Sequence, residues 1–81
     1  MKINQTSEPG AIMDLLIEAI KREQESHDYY YRAALQAAKP ATRKMLLTLA
    51  EWEKGHIAEL TNHVLELKAQ IEIDRAITGG L

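Results

Sequence analysis

The dipeptide Lys39-Pro40 is the clearest helix breaker in this 81-residue chain and divides it into two segments. Proline lacks a backbone N–H and fits the first turn of an α-helix, so Pro40 predicts the start of a second helix. Residues 11–38 contain neither proline nor glycine. The sequence therefore predicts one helix over about residues 9–38 and another over about 40–77 in a single domain.

The outer ends of these segments are typical of helix termini. Ser7-Glu8-Pro9 offers a serine cap, an early acid that suits the helix dipole and a proline in the first turn. Thr78-Gly79-Gly80 predicts the end of the second helix. Gly55 falls inside that helix, where glycine costs about 1 kcal/mol relative to alanine. We expect the helix to continue through Gly55, because the hydrophobic periodicity is in phase on both sides.

The composition excludes several classes of protein. The net charge is −2, from 10 basic and 12 acidic residues, so there is no basic field to attract nucleic acid. The absence of cysteine excludes disulfides, cysteine-based zinc or iron–sulfur sites and thiol catalysis. No apolar run is long enough for a signal peptide or a membrane span. We expect a cytoplasmic protein that binds neither nucleic acid nor membrane.

Residues at alternating steps of three and four mark the buried face of each predicted helix. In the first helix this stripe is Ile12, Leu16, Ala19, Glu23, Ser26, Tyr30, Ala33 and Ala37. In the second it is Leu46, Leu49, Glu53, His56, Leu60, His63 and Leu67, with flanking apolar residues beside it. An antiparallel hairpin cannot cover two such wide stripes by itself, and a chain of this size is marginal alone. We predict an all-α fold in which two chains dimerise into a four-helix bundle.

Three polar side chains interrupt these stripes where apolar ones belong. Glu23 lies mid-stripe in the first helix, and Glu53 and His56 share one face of the second. No lysine or arginine lies on the stripes to neutralise the carboxylates, whereas a divalent cation would. A two-fold dimer would supply four carboxylates and two imidazoles, the ligand set of di-iron and di-manganese carboxylate bundles. This ligand set favours iron or manganese over structural zinc.

The segments Glu23–Tyr30 and Leu49–His56 resemble the ferritin-like, rubrerythrin-type superfamily. In that family a glutamate precedes a tyrosine by seven positions on one helix, and a second helix carries Glu-x-x-His. The likeness covers about residues 12–67. Conventional members repeat this half twice in one chain. This sequence has one copy and is similar to the half-length encapsulated ferritins, whose ferroxidase centre forms between two chains.

The resemblance implies that Glu23, Glu53 and His56 of each subunit hold iron, with manganese as an alternative. It implies that Tyr30 acts with them as a hydrogen-bond donor, and that Glu25 belongs to a site of metal uptake. It also implies a homodimer or higher even-numbered oligomer, such as a ring of dimers, inside a cytoplasmic encapsulin shell. The C-terminal residues 76–81 bear a slight likeness to the targeting peptide of those proteins, which a helix-ending glycine pair explains equally well.

Several neighbouring residues have two readings. His63, one heptad beyond His56, is either an accessory ligand or proton relay, or a core histidine with a carboxylate or backbone partner. Glu59 could join a metal path or lie on a solvated face. Trp52 and the tyrosines on either side of Tyr30 are expected to pack at subunit interfaces.

The leading functional hypothesis is a di-iron ferroxidase that oxidises Fe(II) to Fe(III) for iron storage or detoxification. A rubrerythrin-like reductase of peroxide or dioxygen, fed by an external electron donor, is the first alternative. The absence of cysteine favours the ferroxidase, because such reductases commonly carry a cysteine-ligated iron domain. The other alternative is a non-catalytic helical dimerisation module in which the polar residues specify register.

Overall fold

The computed structural model describes residues 9–79 and folds them into two α-helices joined by a short turn. Helix α1 spans Pro9–Gln36 and helix α2 spans Pro40–Gly79. Among the described residues there is no strand, so the prediction of an all-helical chain with two long helices is confirmed. The predicted Ser7 cap and Glu8 lie outside the described residues, as do Gly80 and Leu81.

The turn begins two residues earlier than the sequence predicts. The Ala37 N–H donates to the Ala34 carbonyl three residues back, at 3.2 Å, which tightens the last turn of α1. The Arg43 guanidinium on α2 donates to the Ala37 carbonyl at 2.9 Å and so satisfies a backbone acceptor at the helix end. Lys39 precedes a proline and is disfavoured in the α region. Helix α1 therefore ends at Gln36 rather than at residue 38.

Helix α2 is continuous for 40 residues and extends to Gly79, two residues beyond the predicted end. It passes through Gly55 without interruption, as predicted, and no residue in the described part of the chain has a positive φ. A Cβ atom built on Gly55 would meet no atom within 4 Å apart from the neighbouring residues and backbone of its own helix. Gly55 is therefore not required by a close backbone approach within the hairpin.

The two helices form a flat, elongated hairpin. Its principal extents are 64 × 27 × 12 Å, so the molecule is one helix thick in its smallest dimension. Its radius of gyration is 17.9 Å, whereas a compact globule of the same length would have about 12 Å. Ala34 and Ala50 are the only buried residues in the described part of the chain. A single chain therefore has two rows of half-buried side chains in place of a closed core.

The contact between the helices confirms the α1 stripe and corrects the α2 stripe. Every member of the predicted α1 stripe is half-buried. On α2, His56 and His63 were predicted on the central line, yet their side chains are 57% and 67% exposed. Ile57 and Val64 are half-buried in their place. Both choices satisfy the spacing of three and four, but burying an aliphatic side chain is favourable and burying an imidazole without a partner is not.

Large apolar side chains remain exposed along both helices of the hairpin. They include Leu15, Ile17, Tyr29, Tyr31, Leu35, Met45, Leu47, Trp52, Leu65, Ile73 and Ile77. Their exposure agrees with a chain that buries more surface by association, and the four-helix bundle itself stays a prediction. Within residues 9–79, neither helix has a stretch that is long and apolar enough to span a bilayer.

Candidate metal centre

Glu23, Glu53 and His56 converge at the middle of the hairpin. Each offers one ligand atom, and these atoms lie within 4.8 Å of one another. His56 Nδ1 is 3.4 Å from Glu53 Oε1 on its own helix and 3.6 Å from Glu23 Oε1 on α1. The imidazole thus bridges carboxylates from two helices. The i, i+3 spacing on α2 accounts for one contact, and the antiparallel alignment of the helices accounts for the other.

The three side chains differ in the fraction of their surface that is exposed. The Glu53 side chain is 18% exposed and that of Glu23 is 31% exposed, whereas that of His56 is 57% exposed. The carboxylates therefore lie largely within the contact between the helices, and the imidazole lies at its edge. One side of the group stays open to solvent or to another protein chain.

An open groove of about 550 Å³ runs beside this group. It is lined by Glu23, His56, Glu59, Leu60, Asn62, His63 and Glu66. No lysine or arginine is among these lining residues, so the groove presents only carboxylate, imidazole, amide and apolar groups. Such a lining attracts cations and repels anions.

The donor set fits a divalent transition metal. Two carboxylates and one imidazole carry a charge of −2 when the imidazole is neutral, which balances one divalent cation. Donor atoms that share an ion at about 2.1 Å lie about 3.0–3.4 Å apart. The distances of 3.4 and 3.6 Å from His56 Nδ1 to the two carboxylates are close to this range. Mixed oxygen and nitrogen ligands with an open side suit iron or manganese. The three residues predicted as ligands are thus brought together, although binding of a metal stays a prediction.

Tyr30 lies two helical turns from Glu23 on α1 and is half-buried. Its ring packs edge-on against Tyr29, with ring centroids 5.5 Å apart. Within the described hairpin its hydroxyl makes no hydrogen bond to Glu23, Glu53 or His56. Its predicted role as a hydrogen-bond donor to the ligands remains a prediction.

The predicted accessory residues lie apart from the three ligands. Glu25 is exposed, and its position two residues after Glu23 turns it to the far side of α1. His63 lines the groove, with its Nδ1 atom 3.6 Å from Glu66 Oε1 one helical turn further along. His63 is therefore an exposed groove residue rather than a core histidine.

Sequence reasoning missed two residues of the groove, Asn62 and Glu66. Glu66 continues a row of ionisable side chains at steps of three and four along α2, together with His56, Glu59 and His63. That periodicity indicates that the four side chains share one face of α2. In the sequence alone, however, the same pattern is typical of an ordinary solvated helix face, and only the position of α1 makes it one wall of a groove. The spacing alone gives Asn62 no distinguishing signal.

The chain was also compared with known proteins. No protein-family model, no curated protein and no solved structure shows a significant match to it.

Proposed function

We propose that this protein is a ferritin-like ferroxidase that binds Fe(II) at Glu23, Glu53 and His56 and oxidises it to Fe(III). The observation that carries the proposal is the convergence of these three side chains from two helices, with ligand atoms within 4.8 Å. Their order along the chain also supports it, because it reproduces the Glu-x6-Tyr and Glu-x-x-His pattern of the resembling superfamily.

Dimerisation completes the proposed centre. Each chain offers two carboxylates and one imidazole, so a two-fold dimer offers the full ligand set of a two-metal carboxylate bundle. His56 faces the open side of the hairpin, where a second chain has access to the site. Exposed Met45 and Trp52 lie on the same side of α2 as His56, about 20° and 40° around the helix axis from it. Docking there would bury these apolar groups and enclose the metals together.

The protein's contribution to the reaction is charge and position. The two carboxylates neutralise Fe(II) on binding and favour the more highly charged Fe(III) product. Two Fe(II) ions give up one electron each, and one dioxygen accepts both electrons and two protons to leave as hydrogen peroxide. The acidic groove beside the site concentrates Fe(II) at the ligands. Manganese suits the same ligands, and it would serve as a probe of metal binding rather than as the substrate.

The cellular setting is part of the proposal. An even-numbered assembly, such as a ring of dimers, would work in the cytoplasm inside an encapsulin shell. The tail that resembles a targeting peptide ends at Gly80 and Leu81, which lie outside the described residues. Co-expression with an encapsulin shell protein, followed by purification of the shell, would show whether the chain is carried inside it.

Native mass spectrometry after anaerobic loading with Fe(II) tests the proposal. We expect an even-numbered assembly with two irons per dimer, and loss of the iron in Glu53→Ala. Glu51→Ala is the matched control, because Glu51 lies on the same helix, is exposed and is not part of the group. A dimer that holds no iron would instead support the helical dimerisation module, and a monomer would overturn both interpretations.

Oxygen consumption separates the ferroxidase from the reductase. A ferroxidase stops consuming oxygen when the added Fe(II) is exhausted, and an external reductant without Fe(II) gives no turnover. Sustained turnover with a reductant and catalytic amounts of iron would favour the rubrerythrin-like alternative.

A further inference from the structure

Two leucines on α2 face away from the proposed metal centre. Leu47 and Leu65 are each nine residues from His56, which is two and a half helical turns, so they lie on the opposite side of the helix. They are 41% and 57% exposed. The dimer proposed above uses the side of the hairpin that carries His56, and it leaves these leucines uncovered.

Helix α1 carries a matching pair on the same side of the hairpin. Ile17 and Leu35 are 18 residues apart, which is five full turns, so they share one direction, and they are 51% and 66% exposed. In an antiparallel pair of helices, two side chains that are rotated in the same sense away from the line of contact between the helices lie on the same side of the pair. We call the four residues Ile17, Leu35, Leu47 and Leu65 the back face.

We propose that the back face binds a second copy of the same face, with α1 of one chain against α2 of the other. The two-fold axis would run parallel to the helices, so the turns that join α1 to α2 in the two chains would lie at the same end of the dimer. Leu35 then meets the partner's Leu47 near the turns, and Ile17 meets the partner's Leu65 at the other end. This contact is additional to the metal-site dimer, and it builds an assembly larger than two chains.

The spacing of charges along the back face selects this register. Asp28 lies 11 residues after Ile17 and seven before Leu35, while Lys54 lies 11 residues before Leu65 and seven after Leu47. Because the facing helices run antiparallel, the alignment that pairs both sets of apolar residues also sets Asp28 opposite the partner's Lys54. The two-fold axis makes this oppositely charged pair occur twice.

The alternative orientation of the two chains leaves both charges without an oppositely charged residue facing them. If the turns of the two chains lay at opposite ends, Leu35 would meet the partner's Ile17, and Asp28 would lie opposite Gln24. Lys54 would then lie opposite Ala58 and find no acid. Within the described hairpin Lys54 has no ion pair, and Asp28 contacts only the neighbouring His27, at 3.1 Å. Both side chains are therefore available to a partner.

Disulfide trapping tests the register directly, because the chain has no cysteine of its own. We expect Ile17→Cys mixed with Leu65→Cys to give an interchain disulfide under mild oxidation, seen as a dimer on a non-reducing gel. The matched mixture of Ile17→Cys with Leu35→Cys should stay monomeric on the same gel. No linkage in the first mixture, or linkage in the second alone, would overturn the proposal.

Charge reversal and assembly mass give a second test. Leu65→Glu should reduce the native mass from four or more chains to a dimer that still holds two irons. The control is Ile73→Glu, at an exposed apolar position outside the back face, and it should leave the native mass unchanged. Lys54→Asp should weaken the larger assembly, and adding Asp28→Lys should restore it. An unchanged mass in Leu65→Glu would overturn the back-face contact.

The same measurements keep the two proposals apart. A wild-type dimer that holds two irons and never grows larger would remove the back-face contact and leave the ferroxidase proposal standing. A large assembly that binds no iron but yields the expected disulfide would do the reverse.

Discussion

Glu23 and Glu53 bring two carboxylates close together, and His56 is the cationic or hydrogen-bonding group that the structure places between them. In the absence of a metal, both carboxylates compete for one imidazole, and their like charges repel each other. The arrangement is therefore a weak device for stabilising a hairpin, whereas it suits a cation. This contrast gives a test in which the metal-site and scaffold interpretations predict different results.

We expect Glu23→Gln to leave the metal-free protein as stable as the wild type, or more stable by up to about 1 kcal/mol, because one like-charge contact is relieved. The same variant should lose the stabilisation by Mn²⁺, which would be about 2.7 kcal/mol at a concentration 100 times the Kd. Urea denaturation with and without Mn²⁺ measures both effects.

Glu59→Gln is the control for that experiment, since Glu59 lines the groove but lies outside the group of three. It should retain the stabilisation by Mn²⁺. If Glu23→Gln also retained it in full, Glu23 would not be a ligand. If wild-type protein gained no stability from Mn²⁺, the prediction of a metal site would be wrong.

At the scale of the helix, nothing in the structure of the hairpin requires a glycine at position 55. Gly55 is exposed, its φ is not positive, and a Cβ atom there would meet nothing within 4 Å beyond the neighbouring residues and backbone of its own helix. Glycine in a helix interior leaves the unfolded chain more conformational freedom than alanine does.

We expect Gly55→Ala to raise the free energy of unfolding by about 0.5–1 kcal/mol. Ala58→Gly, an exposed position on the same helix, should lower it by a similar amount. Chemical denaturation of both variants at one protein concentration provides the comparison. A loss of stability in Gly55→Ala would show that another chain approaches the α2 backbone closely at this point.

At the scale of the whole molecule, the hairpin has too little buried surface for a robust independent fold. Ala34 and Ala50 are the only buried apolar residues in the described chain, and they supply little hydrophobic stabilisation. The exposed leucines, isoleucines and aromatics on both sides of the hairpin represent stabilisation that only association can realise.

We therefore expect the stability of the protein to depend on its concentration. For a chain that folds as a dimer, a tenfold increase in concentration adds about 1.4 kcal/mol per mole of dimer. Urea midpoints measured over a hundredfold range of concentration should rise steadily. A midpoint that did not change would show that the isolated hairpin is stable without a partner chain.

The sequence by itself determined the two helices, the start of α2 at Pro40 and the three candidate ligands. Proline chemistry and the spacing of three and four residues act locally, and they leave a readable pattern. Glu23, Glu53 and His56 stood out because charged residues on a buried stripe need a partner. The ending of α1 at Gln36 was missed because it depends on the capping contact from Arg43, six residues beyond Ala37.

Only the tertiary structure decided which side of α2 meets α1. His56 and His63 compete with Ile57 and Val64 for the contact line, and both sets satisfy the same periodicity. The contact with α1 selects the aliphatic pair, because burial of apolar surface is favourable while imidazoles retain water at the edge. That selection places His56 beside Glu23 and Glu53 with one side open. The physical reason is that side-chain burial depends on a neighbouring helix, which no local pattern contains.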